Sequence, residues 1–477
     1  MLRTWLIATL LALPVPALAE IKLKPYEFKT GDTRSVQAEW GEFEVPARHD
    51  EPEKGAMTLA FVRFPSTNPK PGFPIVYLAG GPGGSGIGTA RGARFDLFMA
   101  LREVADVIAL DQRGTGASNR PPGCRGPSAF PIETPLLREN WLNYARDVAR
   151  FCEKHWQEQG VDLAAYTTWE SARDLELLRR ALGVEKLNLW GISYGTHLAL
   201  ATISHMEDHI HRVVLASPEG LDQTVKMPAH ADRYFERVQA AVNADPQAAK
   251  RYPNLVATMR KVLSDLDREP ATVALSLGQG TEPFQITFDS TIIRFFTAFQ
   301  LTKNPSNVAQ LPATYAALAS GQLDQIAMGA YQMAYAQPLG LSAMSTAMDI
   351  ASGISPERLE QVQAQSESAL LGDFMNYPMP HFVGVLESVP DLGETFRQPL
   401  STSVPALILT GTLDGRTFPE AHAEVLSQFK NGKQLVIENA GHDLFMVDPA
   451  VTEVVREFLI DGSLTTERIE LPPPAFL

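Results

Sequence analysis

The chain has 477 residues, 45% hydrophobic and 20% charged, enough for one large core with an insertion or for two ordinary domains, and too apolar for a disordered chain. Its 41 Lys and Arg stand against 55 Asp and Glu, a formal net charge of −14, which argues against nucleic acid or an anionic membrane surface as partner because either needs a basic face. Two cysteines and no paired-histidine motif supply too few ligands for a metal site, and no cofactor is implied.

Residues 1–19 carry the three parts of a secretory signal: Arg3, an apolar run over 6–13, and Ala17-Leu18-Ala19 before Glu20. Cleavage after Ala19 and a periplasmic or secreted location are therefore expected. The run is too short to cross about 30 Å of hydrocarbon, so a mature form without a membrane anchor is expected as well.

Segments 36–45 and 57–64 alternate apolar and polar residues and read as antiparallel strands at a sheet edge. From residue 75 the pattern changes to short, nearly continuous apolar runs at 75–79, 107–110, 187–190, 213–216, 406–409 and 435–437, the signature of parallel strands buried on both faces. Helical periods at 141–159, 169–182, 194–206, 419–429 and 450–460 alternate with them. In the second of these, Ala172, Leu175, Leu178 and Leu182 share a face and Gly183 marks the stop. Strand and helix in alternation predict an α/β fold, a mostly parallel sheet flanked by helices.

Between 221 and 400 the alternation lapses into stretches rich in Ala, Gln and Leu. A large, mostly helical cap is expected there, inserted after the sixth strand, with 20–220 and 401–477 forming one catalytic domain. The end, 471–477, holds three consecutive prolines and cannot continue a helix. Cys124 and Cys152 allow one disulfide in an oxidising compartment, worth on the order of 3 kcal/mol, or else two buried thiols.

Gly191-Ile192-Ser193-Tyr194-Gly195 matches G-x-S-x-G between an apolar strand and a helix. A sharp turn there displays Ser193 as a nucleophile, and flanking glycines remove the side chains that would collide. A serine hydroxyl needs a base, and the base needs an acid that fixes its tautomer. In this kind of fold the order is Ser, acid, His. Asp414 follows the run at 406–409 and His442 follows the run at 435–437, so both sit where α/β sheets gather functional groups. Asp443 and Glu438 are less well-aimed alternatives for the acid. Backbone donors for an oxyanion are expected from Tyr194, after the nucleophile, and from Gly81 in the glycine loop 80–86.

Three segments together, GGPGGSG at 80–86, DQRGTGAS at 111–118 and GISYGT at 191–196, resemble the prolyl iminopeptidase and tripeptidyl aminopeptidase group of serine α/β-hydrolases. Ala79 stands where many prolyl iminopeptidases carry a histidine. The signal and the placement of the two cysteines are similar to the secreted tripeptidyl branch. The resemblance implies peptide substrates with a free N-terminus, whose α-amino group would be held by carboxylates such as Glu219 and Asp349. A carboxylesterase on the same fold and a catalytically silent binding protein are the other functions considered; the oligomeric state is left open.

Overall fold

The computed structural model describes residues 21–278, 282–301 and 305–476, so the expected signal at 1–19 lies outside the described residues. The strands are β1 (Lys22–Lys29), β2 (Ser35–Pro46), β3 (Ala56–Phe64), β4 (Ile75–Leu78), β5 (Val107–Leu110), β6 (Cys124–Arg125) and β7 (Leu187–Ile192). They continue with β8 (Ile210–Ala216), β9 (Ala271–Leu275), β10 (Phe284–Phe288), β11 (Gly340–Leu341), β12 (Ala406–Gly411), β13 (Gly432–Glu438) and β14 (Arg468–Glu470). Ten of them form one sheet in the order β1-β2-β3-β5-β4-β7-β8-β12-β13-β14. Pairing is antiparallel from β1 to β5 and parallel from β5 to β14.

Every residue of β4, β5, β7 and β12 is buried, because helices cover both faces and each successive side chain enters a different core. Val76, Ile108, Leu189, Val213 and Ile408 face the helices Thr168–Ala181 and Tyr194–Met206. Their neighbours Tyr77, Ala109, Trp190, Val214 and Leu409 face the helices Phe95–Leu101 and Pro449–Asp461.

Two edge strands, β1 and β14, have no counterpart in the sequence reading, so the insertion follows the seventh strand of the main sheet and not the sixth. In β1 only Phe28 is buried, which leaves no periodic apolar signal. Between β8 and β12 the chain forms mainly helices, the longest being Pro228–Ala244 and Leu255–Arg268, together with the antiparallel pair β9–β10. Much of this segment packs on a third core that includes Phe235, Met259 and Phe374, and that core also takes in Trp141 and Leu142 from the helix Arg138–Glu158 and Leu413 and Phe418 from the loop after β12. That loop is therefore gripped from both sides. Cys124 and Cys152 form a disulfide joining β6 to the helix Arg138–Glu158, and β6 pairs with β11 of the inserted segment. Among the described residues, no helix is long and apolar enough to cross a membrane.

A buried ion pair ties the loop after β5 to the helix Thr168–Ala181. Arg113 is fully buried and donates to Asp174 Oδ1 and Oδ2 at 2.6 and 2.7 Å, and to the carbonyls of Ala47 and Ala165 at 2.8 and 2.5 Å. His49 Nε2 lies 2.9 Å from the same carboxylate. Removing one partner strands a charge without solvent. Asp174→Ala is expected to cost about 3–5 kcal/mol, read as a lowered urea midpoint, with Arg113→Met/Asp174→Leu recovering part of the loss. A midpoint unchanged in the single variant would refute this.

Candidate active site

Strand β7 is followed directly by Ser193, whose backbone sits at φ 54°, ψ −128°, a strained conformation for a residue with a side chain. Close packing enforces it. A Cβ on Gly195 would lie 2.0 Å from the Leu78 carbonyl oxygen, and one on Gly191 would lie 2.7 Å from that of Gly195. Only glycine fits at either position. Ser193 N donates to the Ala216 carbonyl at 3.1 Å, and Thr196 bonds back to the Ser193 carbonyl through N and Oγ1 at 2.8 and 2.6 Å. Tyr194 opens the following helix, so its N–H has no acceptor within the helix and is available to an oxyanion.

The glycine loop lies against the nucleophile: a Cβ on Gly80 would come within 3.1 Å of Ser193 Cβ. Gly81 adopts φ 128°, which favours glycine. The loop is braced from behind. Asp111 Oδ1 accepts from Ser85 Oγ and Ile87 N at 2.5 and 3.1 Å, while its Oδ2 accepts from Ala117 N at 2.8 Å. Gln112 Nε2 donates to the Ala79 carbonyl at 3.0 Å, and Ser345, from the inserted segment, donates to the Pro82 carbonyl at 3.0 Å. The segment 111–118, a motif without an assigned task in the sequence, is thus the brace of the loop.

Asp414 and His442 follow β12 and β13. His442 Nδ1 lies 3.1 Å from both carboxylate oxygens of Asp414, and Ser217 Oγ donates to the His442 carbonyl at 2.8 Å. Asp414 is fully buried, and its Oδ1 accepts from Arg416 N and Thr417 N at 2.8 and 3.0 Å. Burial works against its charge. The electrostatic pull and hydrogen bond of His442 outweigh that cost and hold the carboxyl below the usual carboxylate range. Thr417 Oγ1 lies 3.0 Å from Asp414 Oδ2 and 3.2 Å from Nε2 of His422. Burial pushes the His422 imidazole down to about 4, so it stays neutral behind the acid. Sequence reading missed Ser217, Thr417 and His422, since nothing in periodicity or motif distinguishes them.

Neither alternative acid reaches the imidazole by hydrogen bond: Glu438 pairs with Arg468 and Asp443 with Arg94, each at 2.8 Å. Ser193, His442, Gly80 and Gly81 line one cavity of about 530 Å³, which the aromatic rings of Phe295 and Tyr377 wall on the side of the inserted segment. Glu219 and Asp349 are not on its wall. Glu219 is buried and its carboxylate meets Lys226 Nζ at 2.8 Å, which already neutralises it. Asp349, on the helix Ala343–Ser352, is pushed up to about 7 by burial and by the charge of Glu219.

A raised carboxyl pKa has a definite sign in stability. Folding holds the proton more tightly than the unfolded chain does, so the contribution is full below about 4 and is lost as pH rises through about 7. Asp349→Asn should therefore melt higher than the parent at pH 8 and close to it at pH 4.5, as thermal scans would show. A variant that gains nothing at pH 8 would contradict the assignment.

Residues 74–449 match the family described as alpha/beta hydrolase fold. The chain belongs to the α/β-hydrolase fold family. Curated relatives include "Serine protease Hip1" of Mycobacterium tuberculosis, 30% identical over 182 residues, covering 37% of this chain and 35% of that protein. "Tripeptidyl aminopeptidase" of Streptomyces lividans is 37% identical over 150 residues, covering 30% of this chain and 28% of that protein. Its namesake from Streptomyces coelicolor is 35% identical over 153 residues, with 30% and 28% covered. The matched stretch thus spans only about a third of these relatives' length.

Proposed function

We propose that this α/β-hydrolase is an exported serine peptidase that cleaves near free N-termini, in the manner the tripeptidyl aminopeptidase relatives' name describes. The observation that carries the proposal is the contact of His442 Nδ1 with the buried Asp414, on a histidine that lines the same cavity as Ser193. With Nδ1–H held by Asp414, Nε2 accepts the Ser193 proton as Oγ attacks the scissile carbonyl. The oxyanion is received by the N–H groups of Gly81 and Tyr194, and His442 returns the proton to the leaving amine. Water then attacks the acyl-serine by the same steps in reverse roles, releasing the acid and restoring Ser193. The signal pattern at 1–19 and the disulfide support export.

A carboxylesterase is the second reading, favoured by one fact: the two carboxylates expected to hold a substrate amine are absent from the cavity wall. The test is hydrolysis of aminoacyl and tripeptidyl amide reporters, with free and blocked N-termini, beside a simple acyl ester, all with a Ser193→Ala control. Cleavage confined to free N-termini supports the aminopeptidase. Ester cleavage indifferent to the amine would overturn it.

A further inference from the structure

The charged side chains on the cavity wall do not balance. Arg94 and Asp443 pair at 2.8 Å. Arg416 also lines the cavity, beside Ser193 and His442, yet its guanidinium has no hydrogen-bond or ion-pair partner among the described residues. Its backbone is fixed, since Arg416 N donates to Asp414 Oδ1 at 2.8 Å, so the side chain starts two residues from the acid.

The nearby carboxylates are committed elsewhere. Asp414 takes His442, Thr417 and the Arg416 amide, and Glu219 takes Lys226. Asp349, pushed up to about 7, carries its proton much of the time at neutral pH. Arg416 is itself partly buried, and Phe295, Phe374 and Tyr377 present apolar surface to the same space. Glu219 and Asp349 act on Arg416 only through space, without a hydrogen bond or ion pair. A partly desolvated cation with no carboxylate in contact is costly, and a guanidinium is built to take one through two parallel hydrogen bonds.

We propose that Arg416 is the counter-ion for a substrate carboxylate, so that the site selects peptides carrying an anionic group beside the scissile bond. This rests on the peptidase reading of the Ser193 site. The carboxylate has two sources: an acidic side chain on the acyl side, or the free C-terminus of a short peptide on the leaving side.

The experiment separates them. One arm compares tripeptidyl amide reporters ending in Glu, Gln or Lys before the cleaved bond. The other compares tetrapeptides with free or amidated C-termini. Each arm is read as a ratio of kcat/KM, in the parent, in Arg416→Gln and in the charge-reversed Arg416→Glu, so that a general effect on catalysis cancels. Binding of the same peptides to Ser193→Ala and to Ser193→Ala/Arg416→Gln, by calorimetry, supplies a readout that needs no turnover.

In at least one arm the carboxylate form should be preferred by roughly 10-fold or more, the preference vanishing in Arg416→Gln and reversing towards a Lys-bearing peptide in Arg416→Glu. Equal handling of charged and neutral forms in both arms, or a preference that survives Arg416→Gln, overturns the proposal. If no peptide is hydrolysed but the binding preference for carboxylates tracks Arg416, the peptidase reading falls and the anion site stands.

Discussion

Replacing Ser193 by alanine is expected to lower kcat roughly a millionfold, to the residual rate that oxyanion donors and binding alone provide. The reason is that the hydroxyl and the imidazole act as one unit: without Oγ there is no nucleophile for His442 to deprotonate. It follows that His442→Ala should cost about as much, and that the double variant should be little worse than either single one. Single-turnover kinetics on the best reporter, with circular dichroism to verify folding, would measure this. The expectation fails if the two losses multiply, or if Ser193→Ala retains more than about 1% of the rate. The fold should survive, because the strained turn is enforced by Gly191, Gly195 and the Ala216 contact and not by the serine hydroxyl.

Asp414→Asn should be the next most severe change, lowering kcat by roughly 10⁴ with the fold intact. Oδ1 accepts from Arg416 N and Thr417 N, so an asparagine would leave its carbonyl oxygen on these two donors. Its amide nitrogen would then take the place of Oδ2, which lies 3.1 Å from His442 Nδ1. An NH2 group there donates, forces Nδ1 to accept, and leaves the proton on Nε2, where it blocks general-base action. Labelling of Ser193 by a fluorophosphonate, alongside kcat, would report the loss. A variant within about tenfold of the parent would show that another carboxylate orients the imidazole.

How much of the site was legible follows from which interactions are local. The serine lies in a motif whose glycines answer to contacts within a few residues or with the adjacent strand, so G-x-S-x-G after an apolar run carries its own structural meaning. Asp414 and His442 could be read because strand ends concentrate function and the chain order narrows the choice. The amine-binding carboxylates could not. Glu219 looks free in the sequence, seven residues before Lys226, and only folding closes that pair. Thr417 and Ser217 lie in loops and His422 on the helix Pro419–Leu426, and their contacts cross 200 residues in one case, between Thr417 Oγ1 and the Ser217 carbonyl.

The sequence by itself determined the α/β architecture, the parallel strands β4, β5, β7, β8, β12 and β13, and the candidates Ser193, Asp414 and His442, because binary patterning and turn chemistry are written in neighbouring residues. Tertiary structure alone decided what surrounds them: the edge strands β1 and β14, the brace from Asp111 and Gln112 onto the glycine loop, the neutral histidine behind the acid, and the unpaired Arg416 in the cavity. Those features are sums over groups far apart in the chain. Burial, pairing and charge balance exist only once the chain has folded, and no local pattern encodes which carboxylate will meet which cation.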